Sequence, residues 1–479
     1  MLIRQATINL SANVLSALLG LLSVFAFTRL FSAHDYGIYL LGVGFASVVS
    51  VAFIGWFRNL ILSEHARNDG ADIRGVVLSG YFVACLSAPL AYGLGRLVGL
   101  DAWAAAAAVG LAIAVGLFEL TQDLVRARLK AVTAMKAALV RALSVLGLGV
   151  VFTLIDRTGF LLLASSALAY LLATLVQARA WRGTVVNFDG PALLAAARLG
   201  LPLTISLTLL AVSSVTDRFM IANLIGAADA GKYIAGLDLV RQTLMMPAIS
   251  AATAFFPLAV LIHADRGQAA VRSHLGECAE LLFSITLPAC LGFAIIAPHI
   301  ANVVLGADFR GAAAEIMPVI AVAVVFQILT QQYLHVSFLL SGRNSFYLIN
   351  TVSIIAVNVI LSYVLIEKYG VVGAAWARLG ADIFGFVCAL ILSRRAFPVP
   401  IPLGRLALTM IAGLIMALLV GALDRNLHVS DLAACVILVF AGLGSYAALC
   451  WAFDISRLRA RSKNGLRFFR SKLAAMGIG

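Results

Sequence analysis

Six ionisable residues sit inside stretches that are otherwise apolar: Asp217 and Arg218, Asp238 and Arg241, Arg378 and Asp382. Two chemistries follow from their types. A guanidinium is a planar fork of donors that clamps phosphate or carboxylate oxygens, and an intramembrane carboxylate can carry a proton or Na+. Each charged group at the centre of a membrane span costs ~2.5–3.5 kcal/mol on insertion scales, so each calls for a role. Asp217 and Arg218 precede Ile225 by about two turns, and Asp238 and Arg241 follow Tyr233 by a similar length. At ~1.5 Å per residue both arginines fall roughly 10–12 Å beneath the same membrane surface. Arg378 lies at a similar depth past Gly370, with Asp382 one turn deeper on the same face. The spacing predicts a layer of three arginines lining an anion-binding cavity, with Asp217, Asp238 and Asp382 as the carboxylates that would serve a coupling ion, Na+ or H+. A second reading stays open, because Asp238/Arg241 and Arg378/Asp382 are spaced to neutralise each other within one helix and serve packing alone.

Other polar groups are less specific. Gln327, Gln331, Gln332 and His335 form a stripe, with Gln327, Gln331 and His335 one turn apart, suited to sugar hydroxyls or to bonds between helices. Gln327 and Gln331 join the arginines as candidate substrate contacts. Glu119 and Asp123 beside Arg126 read as interfacial or cavity-lining. Arg58, Lys136 and Arg141 read as anchors at or near the cytoplasmic ends of spans, where an anionic headgroup can also be received. Pro247, Pro257, Pro288 and Pro298 remove helix hydrogen bonds and are hinge candidates.

The elements that hold these groups are membrane helices. Of 479 residues, 62% are hydrophobic and 12% charged, and the charges cluster between apolar runs instead of alternating with them. That excludes an ordinary soluble globule, and runs of full helical length exclude a porin-like barrel. The runs are 8–31, 36–57, 76–94, 102–120, 137–155 and 160–176, then 201–225, 233–262, 281–305, 316–340, 346–366 and 371–392, and finally 406–423 and 432–453. The fold class expected is an all-α polytopic membrane protein of about fourteen transmembrane helices. The first run is too long for the apolar core of a signal peptide and should stay in the membrane.

Placing the N-terminus inside leaves Arg29, Arg96, Arg157, Lys232, Arg310, Lys368 and Arg425 as the external basic residues and Arg218, Arg241 and Arg378 within spans, with the rest of the 35 Lys and Arg cytoplasmic. The positive-inside bias therefore predicts both termini in the cytoplasm. The same bias explains the net charge of +13 without invoking nucleic acid. Six cysteines lie in or next to apolar runs with no CxxC and no Cys/His cluster, which points away from a disulfide framework or a structural zinc. The domain reading is an N-terminal six-helix lobe over 1–180, a cytoplasmic connection over 181–198, a second six-helix lobe over 199–395, two additional helices over 396–453, and a basic tail over 454–479 that suits the anionic inner leaflet.

The chain also repeats itself. Leu30-Phe31-Ser32-Ala33-His34-Asp35-Tyr36-Gly37-Ile38-Tyr39-Leu40-Leu41-Gly42 matches the stretch from Leu224 to Gly236 at six of thirteen positions, among them Asp35/Asp229, Gly37/Gly231 and Tyr39/Tyr233. A second echo pairs the stretch ending at Gly159 with the one ending at Gly370. Six spans separate equivalent points, an even number, so the copies share one orientation and are parallel repeats about an axis along the membrane normal. Gly37 and Gly231 are expected to permit a tight turn, and Tyr39 and Tyr233 to sit at the membrane interface. These residues read as scaffold.

With its 6+6+2 spans and the approach Phe27-Thr28-Arg29-Leu30-Phe31 to Asp35-Tyr36-Gly37-Ile38-Tyr39, the chain resembles, over nearly its whole length, the Wzx-type oligosaccharide-lipid flippases of the multidrug/oligosaccharidyl-lipid/polysaccharide exporter superfamily. The resemblance implies a V-shaped, two-lobed carrier in the bacterial inner membrane. Such a carrier moves undecaprenyl-diphosphate-linked glycans to the periplasmic leaflet for O-antigen, capsule or exopolysaccharide assembly. It also implies a cationic cavity, contact with membrane lipids, polysaccharide polymerase or ligase partners, and no catalytic residue or cofactor, since flipping breaks no covalent bond. The alternatives are a cation-coupled multidrug exporter of the same superfamily, which would call for unpaired carboxylates, and a membrane glycan polymerase or ligase, which would call for larger external loops than this chain has.

Overall fold

The computed structural model describes residues 2–56, 58, 74–128, 130–186, 188 and 190–455. Every apolar run read from the sequence falls on a helix. These are α1 (Leu2–Leu30), α2 (Ala33–Val49) with a π-helical turn at Ser50–Ile54, α3 (Arg74–Cys85), α4 (Ala88–Leu97), α5 (Ala102–Ala127), α6 (Ala131–Phe152) and α7 (Gly159–Val176). After a short 3-10 turn at Ala178–Trp181 come α8 (Gly190–Leu224), α9 (Ala227–Val304), α10 (Ala307–Leu329), a second π-helical turn at Thr330–Leu334, α11 (His335–Leu340), α12 (Asn344–Ala396), α13 (Leu403–Arg425) and α14 (Asp431–Ala452). Among the described residues ten helices are long and apolar enough to cross a membrane, and the pair α3 and α4, bent by 44°, supplies another.

Several boundaries differ from the apolar runs, each for a physical reason. Ser32 starts α2 by accepting the Asp35 N–H, and Asp101 starts α5 by accepting the Ala104 N–H, the usual repair for orphan donors at a helix N-terminus. The third run is two helices, not one, with Pro89 in the first turn of the second, where a missing N–H costs nothing. α9 continues as helix through Pro247, Pro257, Pro288 and Pro298; the break is at Gly267, whose φ of 76° only glycine adopts cheaply. Gly370, at φ 57°, divides α12 the same way, parting two of the expected spans.

The chain forms two compact units: Met1–Gly236, Val304–Ala313 and Asn358–Ala377 in unit 1, and Leu237–Val303, Ala314–Val357 and Arg378–Gly479 in unit 2. In unit 1 the alanine-rich α5 is largely enclosed, with Ala104, Ala105, Ala108 and Ala112 fully buried; small side chains let neighbouring backbones come close where lipid offers no hydrophobic drive. Ile54, Val77, Tyr81, Leu120, Leu124 and Ala134 form one of its cores. Unit 2 has a core around Leu275, Leu282, Tyr333, Phe338 and Phe397 and a second around Ile296, Met416, Val420 and Leu438.

The repeated corner shows what its motif does. Residues related by the 194-residue offset face one another reciprocally. A Cβ on Gly37 would collide with the Ala227 carbonyl, and one on Gly231 would lie 2.6 Å from the Ala33 carbonyl oxygen and 2.8 Å from the Gly37 Cα. Neither glycine has a positive φ, so their requirement is close backbone approach and not the tight turn expected. Tyr39 and Tyr233 are buried instead of interfacial, because each hydroxyl finds a polar partner inside: Ser166 donates to Tyr39 at 3.4 Å and Tyr233 donates to Asp217 at 2.8 Å. The preceding Thr28 and Arg29 hold a turn brought in from much later in the chain. Thr28 Oγ1 accepts the Gly306 N–H at 3.0 Å, and Arg29 donates to the Val304 carbonyl at 2.7 Å, capping the end of α9. Phe27, Phe31, Tyr36, Tyr39 and Phe309 pack edge-on around them.

Candidate functional site

Arg218 belongs to unit 1, and Arg241 and Arg378 belong to unit 2. Near the end of α8, Asp217 is fully buried; one oxygen accepts the Tyr233 hydroxyl and the other the Arg218 backbone N–H at 3.0 Å, and Arg218 itself is buried. On α9, Asp238 and Arg241 are only half-buried. Arg241 donates to the Gln327 side-chain oxygen at 3.3 Å, so two residues singled out for different reasons, a cation and a carboxamide, stand together. A carboxamide oxygen that accepts from a guanidinium fixes the direction of its fork of donors.

Arg378 and Asp382 form an ion pair at 2.9 Å within α12, with side chains 5% and 4% exposed. That is the neutralised, i,i+4 arrangement open from the sequence. The rest of the glutamine stripe is divided by the π-turn, which inserts a residue into the helical repeat. Gln331 and Gln332 are half-buried within that turn, while His335 sits beyond it, bonded to Asn350 at 3.1 Å and packed against the Tyr347 ring.

Two arrangements were not legible in advance. Arg58 donates to Asp123 at 2.7 Å and also to Glu119, so these acids are salt-bridged across helices, not simply interfacial. Sequence separation hid that pairing. His299 near the end of α9 stands between two carboxylates, Asp431 at 2.6 Å and Asp424 at 2.9 Å, and so ties α13 and α14 to α9. A neutral ring can donate to only one of them, so the arrangement favours the imidazolium. His299→Leu should cost about 1 kcal/mol after solvent screening, read as a lower melting temperature of the detergent-solubilised chain.

Near that staple, unit 2 has a half-open, almost wholly apolar pocket of about 410 Å³, lined by Thr243, Ser284, Pro288, Met416, Val420 and Tyr446 among others. Its scarce polar groups are largely spoken for: Tyr446 donates to the Ser284 carbonyl at 2.7 Å. Such a volume takes an alkyl or prenyl chain and gives a sugar nothing to bond. The basic tail expected over 454–479 lies outside the described residues from 456 onward.

A family model described as polysaccharide biosynthesis protein matches residues 26–314. Among solved structures, the chain is similar to a lipid II flippase MurJ in an inward closed conformation, with a TM-score of 0.77 at 14% identity over 94% of this chain and 99% of that one. It is also similar to an inward-facing multidrug resistance MATE family transporter of the MOP superfamily, with a TM-score of 0.54 at 18% identity over 82% of this chain and 95% of that one. At these identities the likeness speaks to the fold. No curated protein sequence matches.

Proposed function

The chain belongs to the polysaccharide biosynthesis protein family, and from that premise we propose that it moves an undecaprenyl-diphosphate-linked oligosaccharide across the bacterial inner membrane by alternating access, supplying O-antigen, capsule or exopolysaccharide assembly. The observation that carries the reading is Arg241: a half-buried cation inside a span, held by an amide at 3.3 Å. A polar, anionic headgroup has to pass such a point; a cationic drug has no use for it. Arg218, Arg241 and Arg378, with Gln327 and Gln331, are the proposed contacts for the diphosphate or for acidic sugars, and the apolar cavity suits the lipid chain. Both termini face the cytoplasm in this reading, so outward passage of negative charge runs with an inside-negative potential, ~2.3 kcal/mol per charge per 100 mV. A coupling ion is then not required; where Na+ or H+ is used, Asp217, Asp238 and Asp382 are its carboxylates, and a polysaccharide polymerase or ligase consumes the product.

The test is surface glycan in a deletion strain complemented with single variants. Arg241→Ala at normal protein level should lower surface glycan about tenfold, the worth of one charge-assisted hydrogen bond in a dry site. Full glycan export by Arg218→Ala, Arg241→Ala and Arg378→Ala alike would overturn the proposed contacts, and normal glycan in the deletion strain itself would overturn the function.

A further inference from the structure

α6 begins at Ala131 and ends at Phe152, six residues earlier at its start than the apolar run. That shift moves Arg141 from near a helix end to the middle, about 15 Å from either terminus at ~1.5 Å per residue. It shares a helical face with the buried Ala134 and Ala137, away from the exposed Lys136 and Leu143, so it points into unit 1 and not toward lipid. Two helices meet it there. Arg141 donates to the Tyr170 hydroxyl at 3.0 Å, and its guanidinium carbon lies 5.4 Å from the Tyr170 ring centre and 5.9 Å from that of Phe118. The two rings are set edge to face, 5.4 Å apart, which fixes the wall the guanidinium rests on.

The acids nearby are already engaged. Glu119 and Asp123 both accept from Arg58, whereas among the described residues no carboxylate lies within ion-pair distance of Arg141. One of its five N–H groups is used on a neutral hydroxyl, and the side chain is half-buried. A guanidinium held in the middle of a membrane-spanning helix by aromatic rings and a phenol, with donors to spare, is a seat for an oxyanion.

Resting on the glycan-carrier reading above, we infer that Arg141, Tyr170 and Phe118 form an oxyanion-binding seat in unit 1, separate from the arginines of α8, α9 and α12. Its ligand is a phosphate of the lipid diphosphate or a sugar carboxylate. Glu119 is an opposing charge that Arg141 feels electrostatically, so its removal should strengthen the seat.

The experiment uses the full chain in lipid nanodiscs, titrated calorimetrically with inorganic pyrophosphate and, separately, with glucuronate. Arg141→Gln should weaken binding about tenfold, Arg141→Lys about threefold because the point charge survives without the fork, and Glu119→Gln should tighten it. A loss confined to pyrophosphate assigns the seat to the lipid headgroup, and a loss confined to glucuronate assigns it to the glycan. Unchanged affinities in Arg141→Gln, or no binding of either probe to the wild-type chain, would overturn the seat. Should Arg141→Gln fail to fold, Arg141→Lys and Glu119→Gln carry the same test, and affinities unmoved in both would overturn it. Failure here is distinct from failure of the carrier reading, which is decided by surface glycan in the deletion strain.

Discussion

Gly37→Val is expected to abolish accumulation of folded protein. The substituted Cβ would meet a backbone carbonyl, that of Ala227, with no flexible side chain available to yield, and the reciprocal position Gly231 is closed off by the Ala33 carbonyl and by Gly37 itself. Overpacking commonly costs ~1–3 kcal/mol and more where backbone must shift, a large share of a marginal stability. Gly231→Val should behave alike, and the pair should not rescue one another, since each adds volume to the same gap. Gly110→Ala is the control: nothing lies within 4 Å of a Cβ there, and a helix interior gains from the exchange. Monodisperse protein measured by fluorescence-detected gel filtration should fall at least about tenfold for either valine variant and hold for Gly110→Ala. A Gly37→Val chain accumulating as the wild type does would show that the two repeated corners do not bear on each other.

The second large effect is expected at Arg378 and Asp382. Removing one partner of a pair this enclosed strands the other charge away from water, at ~3–5 kcal/mol, whereas replacing both with apolar residues of similar size is commonly neutral. Arg378→Met and Asp382→Leu should each reduce accumulation sharply, and the double variant should restore it. Export by the restored chain then separates the two readings of Arg378. Normal surface glycan would leave the residue a packing partner only, and restored protein without glycan would keep it among the substrate contacts.

Helix positions were readable because a membrane span must be apolar over a length the bilayer sets, and no tertiary detail changes that requirement. Helix ends were not, since polarity marks where a span leaves the hydrocarbon and not where hydrogen bonding stops; α5 runs on to Ala127 and α8 begins at Gly190, well inside stretches read as polar. The i,i+4 pair of Arg378 and Asp382 could be read from spacing, being local to one helix. The pairing of Arg58 with Glu119 and Asp123, and of His299 with Asp424 and Asp431, joins residues more than sixty positions apart, which no periodicity encodes. The prolines of α9 carried the expected helix-breaking chemistry, yet helix is kept on both sides of each, and the residue with non-helical backbone is Gly267, where backbone freedom is cheapest. The repeat was visible as sequence identity, but its glycines serve contact between equivalent corners, which only the assembled helices reveal.

Unit 1 takes in Val304–Ala313 and Asn358–Ala377 as well as Met1–Gly236, and this has a consequence for biogenesis. Its first stretch is synthesised well before the last of its pieces emerges, a delay of about 7–30 s at ribosomal speeds. For the first half of that interval, until Val304–Ala313 is made, Thr28 and Arg29 have no turn to hold and Tyr36 lacks the Phe309 ring, so the nascent chain waits in the membrane with this corner unfinished, the window in which an insertase or chaperone has most to protect.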